Sequence, residues 1–287
     1  MKLYRDFASQ EEIDAHYNML GNVADPDATI AAWAERSTAV VARLDCRLDL
    51  RYGPTLAEYC DVFPAGAGAP LHLFIHGGYW RRFSARDHAF VVPQLVAAGL
   101  TTVTVNYALC PTVSLDEIVR QVRAAIAWAY TRGAELGADP HRLTISGHSA
   151  GGHLVAMALA TDWPGEYGLP ADVIKGGVAI SGLYDLGFLP YCYVQPKVQA
   201  TWDQVRRLSP LWHLPASAPP LLVAVGGDET DEFRRQSREF HGAWAQAGLP
   251  GSYLEPPGKH HLTVLEELER PESELCRALV HLAHGRQ

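Results

Sequence analysis

Short apolar runs alternate with longer amphipathic stretches along most of this chain, and that alternation leaves few folds open. The apolar runs have the length and composition of buried strands, and the stretches between them have helical spacing. Strands are predicted at residues 56–63, 71–75, 101–106, 143–146, 177–181, 220–225 and 251–255, and helices at residues 88–98, 115–132, 149–160 and 233–247. Two further helical stretches end the chain. Continuous apolar strands separated by helices indicate a mostly parallel sheet covered on both faces, which is the α/β class.

The 287 residues are expected to form one domain, residues 1–287, because this length is ordinary for a single α/β domain and no repeat or long linker interrupts it. A hydrophobic fraction of 48% with 20% charged residues is typical of a globular chain. Residues 1–50 are expected to form a mainly helical N-terminal region. Residues 184–212 interrupt the alternation of strands and helices, and we expect them to form a small cap insertion.

The net charge, the length of the apolar stretches and the cysteine content limit the partners and the compartment that we expect for this protein. The formal net charge of −8 disfavours nucleic acid, which is bound by clustered Lys and Arg. No basic segment followed by an apolar run stands at the start of the sequence, so we expect no signal peptide, and no apolar stretch approaches the roughly 20 residues that span a bilayer. Five scattered cysteines without a CxxC pair favour reduced thiols. We expect a cytoplasmic protein that acts on a small molecule and binds neither membranes nor nucleic acid. The sequence leaves open whether the protein forms a homodimer.

A candidate nucleophile follows the strand predicted at residues 143–146. Residues 147–152 read Gly-His-Ser-Ala-Gly-Gly and lead into a predicted helix, which is the strand–turn–helix context of a G-x-S-x-G motif. The glycines are required because the turn is too sharp for side chains on either side, and the turn exposes the serine hydroxyl. The motif indicates that Ser149 is the nucleophile of a hydrolase with the α/β-hydrolase fold.

A candidate oxyanion hole follows an earlier strand. Gly77 and Gly78 come directly after the strand predicted at residues 71–75, and glycines let the backbone approach a substrate closely. Acyl transfer develops negative charge on a carbonyl oxygen, and each backbone N–H aimed at it supplies about 3 kcal/mol. Gly77, Gly78 and Ala150, the residue after the nucleophile, are the predicted donors. His76 is expected to brace this loop without a catalytic role.

The candidate acid and base come later in the chain. A serine hydroxyl needs a histidine to take its proton and a carboxylate to orient that histidine, in the chain order Ser, acid, His for this fold. Asp228 and Glu229 follow the sixth predicted strand, and His260 and His261 follow the last one. The adjacent histidines lack an accompanying Cys, Asp or Glu cluster of metal spacing, so we expect no metal and no cofactor.

Several segments are similar to one known family. Residues 76–80, His-Gly-Gly-Tyr-Trp, resemble the HGGxW signature of the arylformamidases (kynurenine formamidases), which are relatives of the hormone-sensitive-lipase-like esterases. Further segments that fit this family are residues 52–53, 59–63, 147–152, 181–186 and 232–237, so the resemblance extends from about Tyr52 to Glu267. HGGxW together with G-x-S-x-G is fairly specific, whereas either motif alone is not.

The resemblance also implies a choice among the candidate side chains. Counting back from Glu232, the family's acid falls on Glu229. The family's base is followed by an apolar residue and a short helix, which matches His261. The sequence departs from the family at two points. The family acid is often Asp, which keeps Asp228 open as the acid, and Leu262 stands where an aromatic residue is expected.

Together these features predict catalysis through an acyl-enzyme. Ser149 attacks a carbonyl after His261 takes its proton, Glu229 holds the imidazole, and water hydrolyses the acyl-enzyme. The resemblance implies an aryl formamide such as N-formylkynurenine, or a small aryl ester, as the substrate. The alternatives are a short-chain carboxylesterase, another arylamidase of the same fold, and a non-catalytic ligand-binding homologue. The last is disfavoured because a serine, an acid and a histidine are all present.

The substrate pocket is expected to include Tyr79, Trp80, His148 and Tyr184. Aromatic side chains of the cap insertion are candidates to line a pocket for a flat ring, although each one could instead pack the insertion onto the body. They are Tyr184, Phe188, Tyr191, Tyr193, Trp202 and Trp212.

Overall fold

An eight-stranded sheet organises the part of the chain that the structure, a computed structural model, describes, which is residues 2–285. The strands are β1 (Arg47–Arg51), β2 (Tyr59–Phe63), β3 (Ala69–Ile75), β4 (Thr101–Val105), β5 (Ala138–His148), β6 (Gly176–Ile180), β7 (Leu221–Ala224) and β8 (Gly251–Leu254). Their order is β1-β2-β4-β3-β5-β6-β7-β8. β2 runs antiparallel to both β1 and β4, and all other neighbours are parallel. The predicted α/β class with a mostly parallel sheet is confirmed.

Ten α-helices lie between or beside the strands of the described residues. They are α1 (Gln10–Tyr17), α2 (Pro26–Arg43), α3 (Val92–Ala97), α4 (Leu115–Arg132), α5 (Ala150–Leu159), α6 (Trp163–Tyr167), α7 (Gln195–Val198), α8 (Trp202–Arg207), α9 (Asp231–Gln246) and α10 (Glu274–Ala283). Short 3-10 helices are formed at Met19–Asn22, Arg86–Val91, Gly133–Leu136, Leu189–Tyr191, Pro210–Trp212 and Leu265–Glu269. In residues 2–285 none of these helices combines the length and the apolar character that crossing a bilayer requires.

Both faces of the sheet are covered because successive side chains of a strand point to opposite sides. In β3, Leu73 and Ile75 belong to one apolar cluster, to which α4, α5 and α9 contribute, and Phe74 belongs to a second cluster. The second cluster takes its helical side chains from α2, α3 and α10, among them Trp33 and Leu95. The continuous apolar runs of the sequence therefore reflect burial on both faces.

The seven strands predicted from the sequence are all present, with ends shifted by a few residues. β1 was not predicted. Its sequence, Arg-Leu-Asp-Leu-Arg, has few apolar residues and is mostly exposed, because β1 is an edge strand with β2 as its neighbour. β1 also lies within the N-terminal region that was expected to be mainly helical. Its pairing depends on tertiary contacts, which a short charged segment does not reveal.

The helix predicted at residues 88–98 is divided into the 3-10 turn Arg86–Val91 and the α-helix α3. Pro93 lies in the first turn of α3, where its missing N–H costs no hydrogen bond. The helix predicted at residues 115–132 matches α4, whose first turn is capped because Ser114 Oγ accepts from the backbone N–H of Glu117 at 3.3 Å.

The topology brings the candidate site residues to one edge of the sheet, because the carboxyl ends of parallel strands share an edge. β3 and β5 are neighbours, with Ile75 opposite Gly147, so the glycine loop after β3 lies beside the turn after β5. The loops that follow β7 and β8 carry Glu229 and His261 at the same edge.

Contact between these neighbouring turns depends on glycines at positions where no side chain fits. A Cβ on Gly151, in the first turn of α5, would lie 2.0 Å from the carbonyl oxygen of Ile75 and 2.8 Å from that of His76. A Cβ on Gly147 would lie 2.4 Å from the carbonyl oxygen of Gly151. The helix α5 therefore begins in backbone contact with the end of β3.

Replacing Gly151 tests this backbone contact. Gly151→Ala should lower the free energy of unfolding by about 2–3 kcal/mol, because the added methyl group forces the two backbones apart. Gly242→Ala is the matched control: in α9 an added Cβ meets no atom of the described residues within 4 Å, so alanine should stabilise by up to about 1 kcal/mol. Urea unfolding measures the free energy of unfolding of both variants. Equal values for the two variants would contradict the backbone contact between α5 and β3.

Candidate functional site

Ser149 occupies a strained turn between β5 and α5. Its φ of 57° and ψ of −117° are rarely adopted by a residue with a side chain, and such conformations cost on the order of 1–3 kcal/mol. The backbone N–H of Ser149 donates to the carbonyl of Ile180 at 2.8 Å, which fixes the turn against the neighbouring strand β6. This is the strand–turn–helix arrangement that the sequence motif predicted.

Glu229 and His261 form a buried hydrogen-bonded pair. His261 Nδ1–H donates to Glu229 Oε2 at 2.7 Å. Glu229 Oε1 accepts two further hydrogen bonds, from the hydroxyl of Ser181 at 2.5 Å and from the backbone N–H of Gly226 at 2.8 Å. A carboxylate with three donors has its orientation fixed, and it fixes the tautomer of the histidine in turn.

The other two candidates lie away from this pair. Asp228 is exposed, and its Oδ1 accepts the backbone N–H of Gly258 at 3.2 Å within the loop. His260 Nδ1 accepts the backbone N–H of Leu262 at 3.2 Å. The structure therefore brings Glu229 and His261 together and leaves Asp228 and His260 as loop residues.

Ser149 and His261 line the same cavity. Because Nδ1 of His261 is bound to Glu229, Nε2 is the ring nitrogen that can face a reacting group. The hydrogen bonds of the described residues do not include one between Ser149 Oγ and this ring; such contacts commonly tighten when a substrate binds.

The glycine loop after β3 approaches the serine turn closely. A Cβ on Gly77 would lie 2.8 Å from the carbonyl oxygen of His148 and 3.1 Å from Cβ of Ser149. Gly78 has a φ of 109°, which favours glycine. Gly77 and Gly78 line the cavity, and Ala150 begins α5, where the first N–H groups have no partner within the helix.

His76 braces this loop. Burial lowers the pKa of His76 to about 3, so the ring is neutral, and its Nδ1–H donates to the carbonyl of Gly77 at 2.8 Å. The ring stacks on Tyr107 with centroids 4.1 Å apart, and the hydroxyl of Tyr107 donates to the carbonyl of His76 at 2.8 Å. These bonds fix the peptide units that join His76 to Gly77 and Gly77 to Gly78.

His148 connects the serine turn to the loop that carries His261. Its Nε2–H donates to the carbonyl of His261 at 2.8 Å, and the two ring centroids are 4.6 Å apart. Burial, with a smaller contribution from the neighbouring His261, holds the pKa of His148 well below its usual value. A neutral ring can keep this hydrogen bond without placing a second charge beside the Glu229–His261 pair.

The cavity contains about 520 Å³ of space, part of it open to solvent. Tyr79 and His148, which were predicted to be pocket residues, line it. Trp80 and Tyr184 do not, and that part of the prediction is corrected. Trp80 is fully buried behind the loop, where its indole N–H donates to Nδ1 of His153 at 3.3 Å. Tyr184 is also fully buried and stacks on the ring of Phe240, with centroids 4.1 Å apart.

Much of the lining comes from residues that sequence reasoning did not select. They are Met19, Leu20, Trp33, Arg81, Arg82, Phe83, His88 and Leu262. The N-terminal region contributes the first three, and the segment after HGGYW contributes Arg81 to His88. Tyr193, one of the aromatic candidates of the expected cap insertion, also lines the cavity. The basic and aromatic residues directly after HGGYW were the one available signal.

The fold and this site define the class of protein. A strained serine turn after a parallel strand, with an acid and a histidine on later loops, is characteristic of α/β hydrolases. The chain belongs to the α/β-hydrolase family, since residues 72–265 match a family model described as the α/β hydrolase fold. In residues 2–285 no group of three or more His, Cys, Asp or Glu side chains is arranged to hold a metal ion.

Within this family the chain is similar to kynurenine formamidases and esterases. The kynurenine formamidase of Danio rerio is 33% identical over 242 residues, covering 82% of this chain and 80% of that protein. Esterase LipQ of Mycobacterium tuberculosis is 29% identical, covering 74% of this chain and 56% of that protein. A candidate thioesterase from Silicibacter sp. TM1040 has a crystal structure with a TM-score of 0.80 and 29% identity, covering 95% of this chain and 99% of that chain. The predicted resemblance to arylformamidases is confirmed.

The buried histidines around the site predict how stability depends on pH. Burial lowers the pKa of His72 and His76 to about 3 and that of His88 and His153 to about 4. Because the unfolded chain protonates these rings near pH 6.5, it binds more protons than the folded protein below that pH. The free energy of unfolding should therefore fall as the pH drops from about 6.5 to about 5, by up to about 1.4 kcal/mol per pH unit for each ring.

Urea unfolding across this interval measures the effect, since carboxylates with lowered pKa values act mainly at lower pH. His153→Gln should make the free energy of unfolding depend less steeply on pH, by the contribution of about one proton. The variant has no imidazole at this position that could bind a proton in the unfolded chain. His141→Gln, at an exposed position, should keep the full slope. A stability that does not change between about pH 6.5 and about pH 5 would contradict the buried neutral rings.

Proposed function

We propose that this protein is a serine hydrolase that works through an acyl-enzyme, with Ser149 as the nucleophile, His261 as the base and Glu229 as the acid. The observation that carries the proposal is the 2.7 Å hydrogen bond between Glu229 and His261 beside a cavity that Ser149 also lines. A serine hydroxyl is a weak nucleophile until a neighbouring base takes its proton, and this pair supplies an oriented base.

In the first half of the reaction, His261 Nε2 takes the proton of Ser149 Oγ, which attacks the substrate carbonyl carbon. The tetrahedral oxyanion is stabilised by the backbone N–H groups of Gly77, Gly78 and Ala150. His261 then gives its proton to the leaving amine or alcohol, and the acyl-enzyme remains. In the second half, water attacks the acyl group, its proton passes to His261, and Ser149 leaves with that proton.

We propose an aryl formamide such as N-formylkynurenine, or a small aryl ester, as the substrate. Support comes from the similarity to the kynurenine formamidase of Danio rerio and from the aromatic side chains around the cavity, among them Trp33, Phe83 and Tyr193. Aromatic walls favour a flat ring. The similarity to Esterase LipQ keeps short-chain esters as the second candidate substrate class.

Substitutions at Ser149 and at the two adjacent carboxylates test the mechanism. Ser149→Ala should lower kcat/KM by at least about 10⁴-fold while the protein stays folded. Glu229→Gln should cost about 10²- to 10⁴-fold. With Ser181 and Gly226 donating to one oxygen of residue 229, the amide NH₂ must face His261 Nδ1, and the proton then moves to Nε2. Such a ring cannot accept the proton of Ser149.

Asp228→Asn is the matched control, because it removes the same charge from the adjacent, exposed residue. Its kcat/KM should stay within about threefold of the unmodified enzyme, as expected for a surface substitution. Circular dichroism checks folding in each variant. If Ser149→Ala keeps full activity, or if Asp228→Asn loses more than Glu229→Gln, the assignment is wrong.

Rates on two substrates distinguish the substrate classes. We expect kcat/KM for N-formylkynurenine of at least about 10⁴ M⁻¹s⁻¹, within the usual range of enzymes on their own substrates. Formate release measures this reaction, and p-nitrophenyl acetate serves as the ester, with Ser149→Ala as the control for both. Hydrolysis of the ester without formate release from N-formylkynurenine would assign the protein to the esterases. Hydrolysis of neither would remove both substrate classes.

A further inference from the structure

Two arginines face the cavity without an acidic partner. Arg81 and Arg82 both line the cavity that contains Ser149. Within residues 2–285 neither guanidinium forms an ion pair with a carboxylate, whereas nearby Arg86 is paired with Asp49 and Asp61. Two adjacent positive charges at a half-buried position repel each other and lose hydration, so they are costly unless an anion joins them.

The backbone that carries these arginines is strained. Tyr79, Trp80 and Phe83 have φ values of 50°, 56° and 70°, in the left-handed region that favours glycine. Each such residue costs on the order of 1–3 kcal/mol, and this strain commonly accompanies function. The backbone N–H groups of Arg81 and Arg82 donate to the carbonyl of Gly78 at 3.0 and 3.1 Å, which closes the loop into a tight turn.

Trp80 anchors the turn from behind. Its ring is fully buried, its indole N–H donates to His153, and its carbonyl accepts the backbone N–H of Cys110 at 2.8 Å. With the tryptophan held in the core, the next two residues face the cavity. The turn therefore presents Arg81 and Arg82 a few residues from the N–H groups of Gly77 and Gly78.

The surroundings of Arg81 leave donors free for a ligand. Its guanidinium lies 5.6 Å from the ring centroid of Tyr193, and its Nε is buried without a hydrogen-bond partner among the described residues. Burial raises the pKa of Tyr193 to about 12, so this neighbour stays neutral. The carboxylate of Asp14, which lies nearby, accepts the backbone N–H of Tyr193 at 2.7 Å and the side-chain amide of Gln10 at 3.2 Å.

We infer that Arg81 and Arg82 form an anion-binding subsite, which holds a carboxylate carried by the leaving group of the substrate. This inference rests on the proposed serine hydrolase function. A planar guanidinium matches a carboxylate with two parallel hydrogen bonds, and hydrogen bonds between charged groups are the strong ones. The chain has a net charge of −8, and a local positive pair favours the approach of an anionic substrate to this cavity.

The position of Arg81 and Arg82 indicates which part of the substrate they bind. The same short loop carries the proposed oxyanion donors at one end and the two arginines at the other. An acyl carbonyl at Gly77 and Gly78 therefore leaves the aryl part of the substrate to reach the arginines. The preferred class is an aryl amide or aryl ester with a carboxylate on its ring or on a short ring substituent, rather than a neutral aryl ester.

A matched pair of esters tests the subsite. Phenyl acetate and 3-acetoxybenzoate share the acyl group and differ in one ring carboxylate. We expect kcat/KM to be at least about tenfold higher for 3-acetoxybenzoate, as hydrogen bonds to charged groups imply. Arg81→Gln and Arg82→Gln should each lower this ratio at least about fivefold, mainly through KM, while Arg81→Lys should keep part of it. Arg277→Gln, which removes an exposed charge from α10, should leave the ratio unchanged.

Salt dependence gives a second readout on the unmodified enzyme. Raising the ionic strength from about 0.05 M to about 0.5 M should lower the ratio, because salt screens the attraction between the arginines and the carboxylate. If phenyl acetate is hydrolysed but the ratio is near one, or if both glutamine variants keep the ratio of the unmodified enzyme, the subsite is wrong and the serine mechanism stands. If Ser149→Ala hydrolyses both esters at the unmodified rate, the proposed function itself fails.

Discussion

Backbone contact between the ends of β3 and β5 is the constraint on which the rest of the site depends. At Gly77 and Gly151 a single added carbon would lie 2.8 Å or less from a carbonyl oxygen of the other segment. With glycine at both positions, the loop after β3 lies directly against the turn of Ser149. The distance between the proposed nucleophile and the proposed oxyanion donors is then set by main-chain contact rather than by flexible side chains.

The loop carrying His261 comes from more distant sequence, and hydrogen bonds bring it to the same place. His148 donates to its backbone carbonyl, and Glu229 accepts from its ring. The backbone N–H of Asp228 also donates to the carbonyl of Lys259 at 3.0 Å, which joins the loop after β7 to the loop after β8. The serine turn therefore positions the proposed base as well as the proposed nucleophile, and the neutral state of His148 keeps that bond free of competing charge.

The sequence was informative where local pattern determines structure, and less so where tertiary contact does. The apolar runs predicted seven strands, and the strand–turn–helix context of residues 147–152 identified the strained position of Ser149. The choice of Glu229 over Asp228 came from a family resemblance, since two adjacent carboxylates in one loop are locally equivalent. Trp80, which directly follows the glycine loop and Tyr79, was predicted to line the pocket but lies in the core. Its actual place in the core follows from a positive φ that no local pattern shows.

The contribution of the N-terminal region to the site also follows from tertiary contacts. The hydroxyl of Tyr79 donates to the carbonyl of Tyr17 at 2.7 Å, and the hydroxyl of Thr230 donates to the carbonyl of His16 at 2.7 Å. These two bonds tie the end of α1 both to the glycine loop and to the loop of the proposed acid. Met19 follows the end of α1 in the sequence and lines the cavity. The first helix therefore links two loops that come from opposite halves of the sequence, and the shape of the cavity depends on residues far from every catalytic motif.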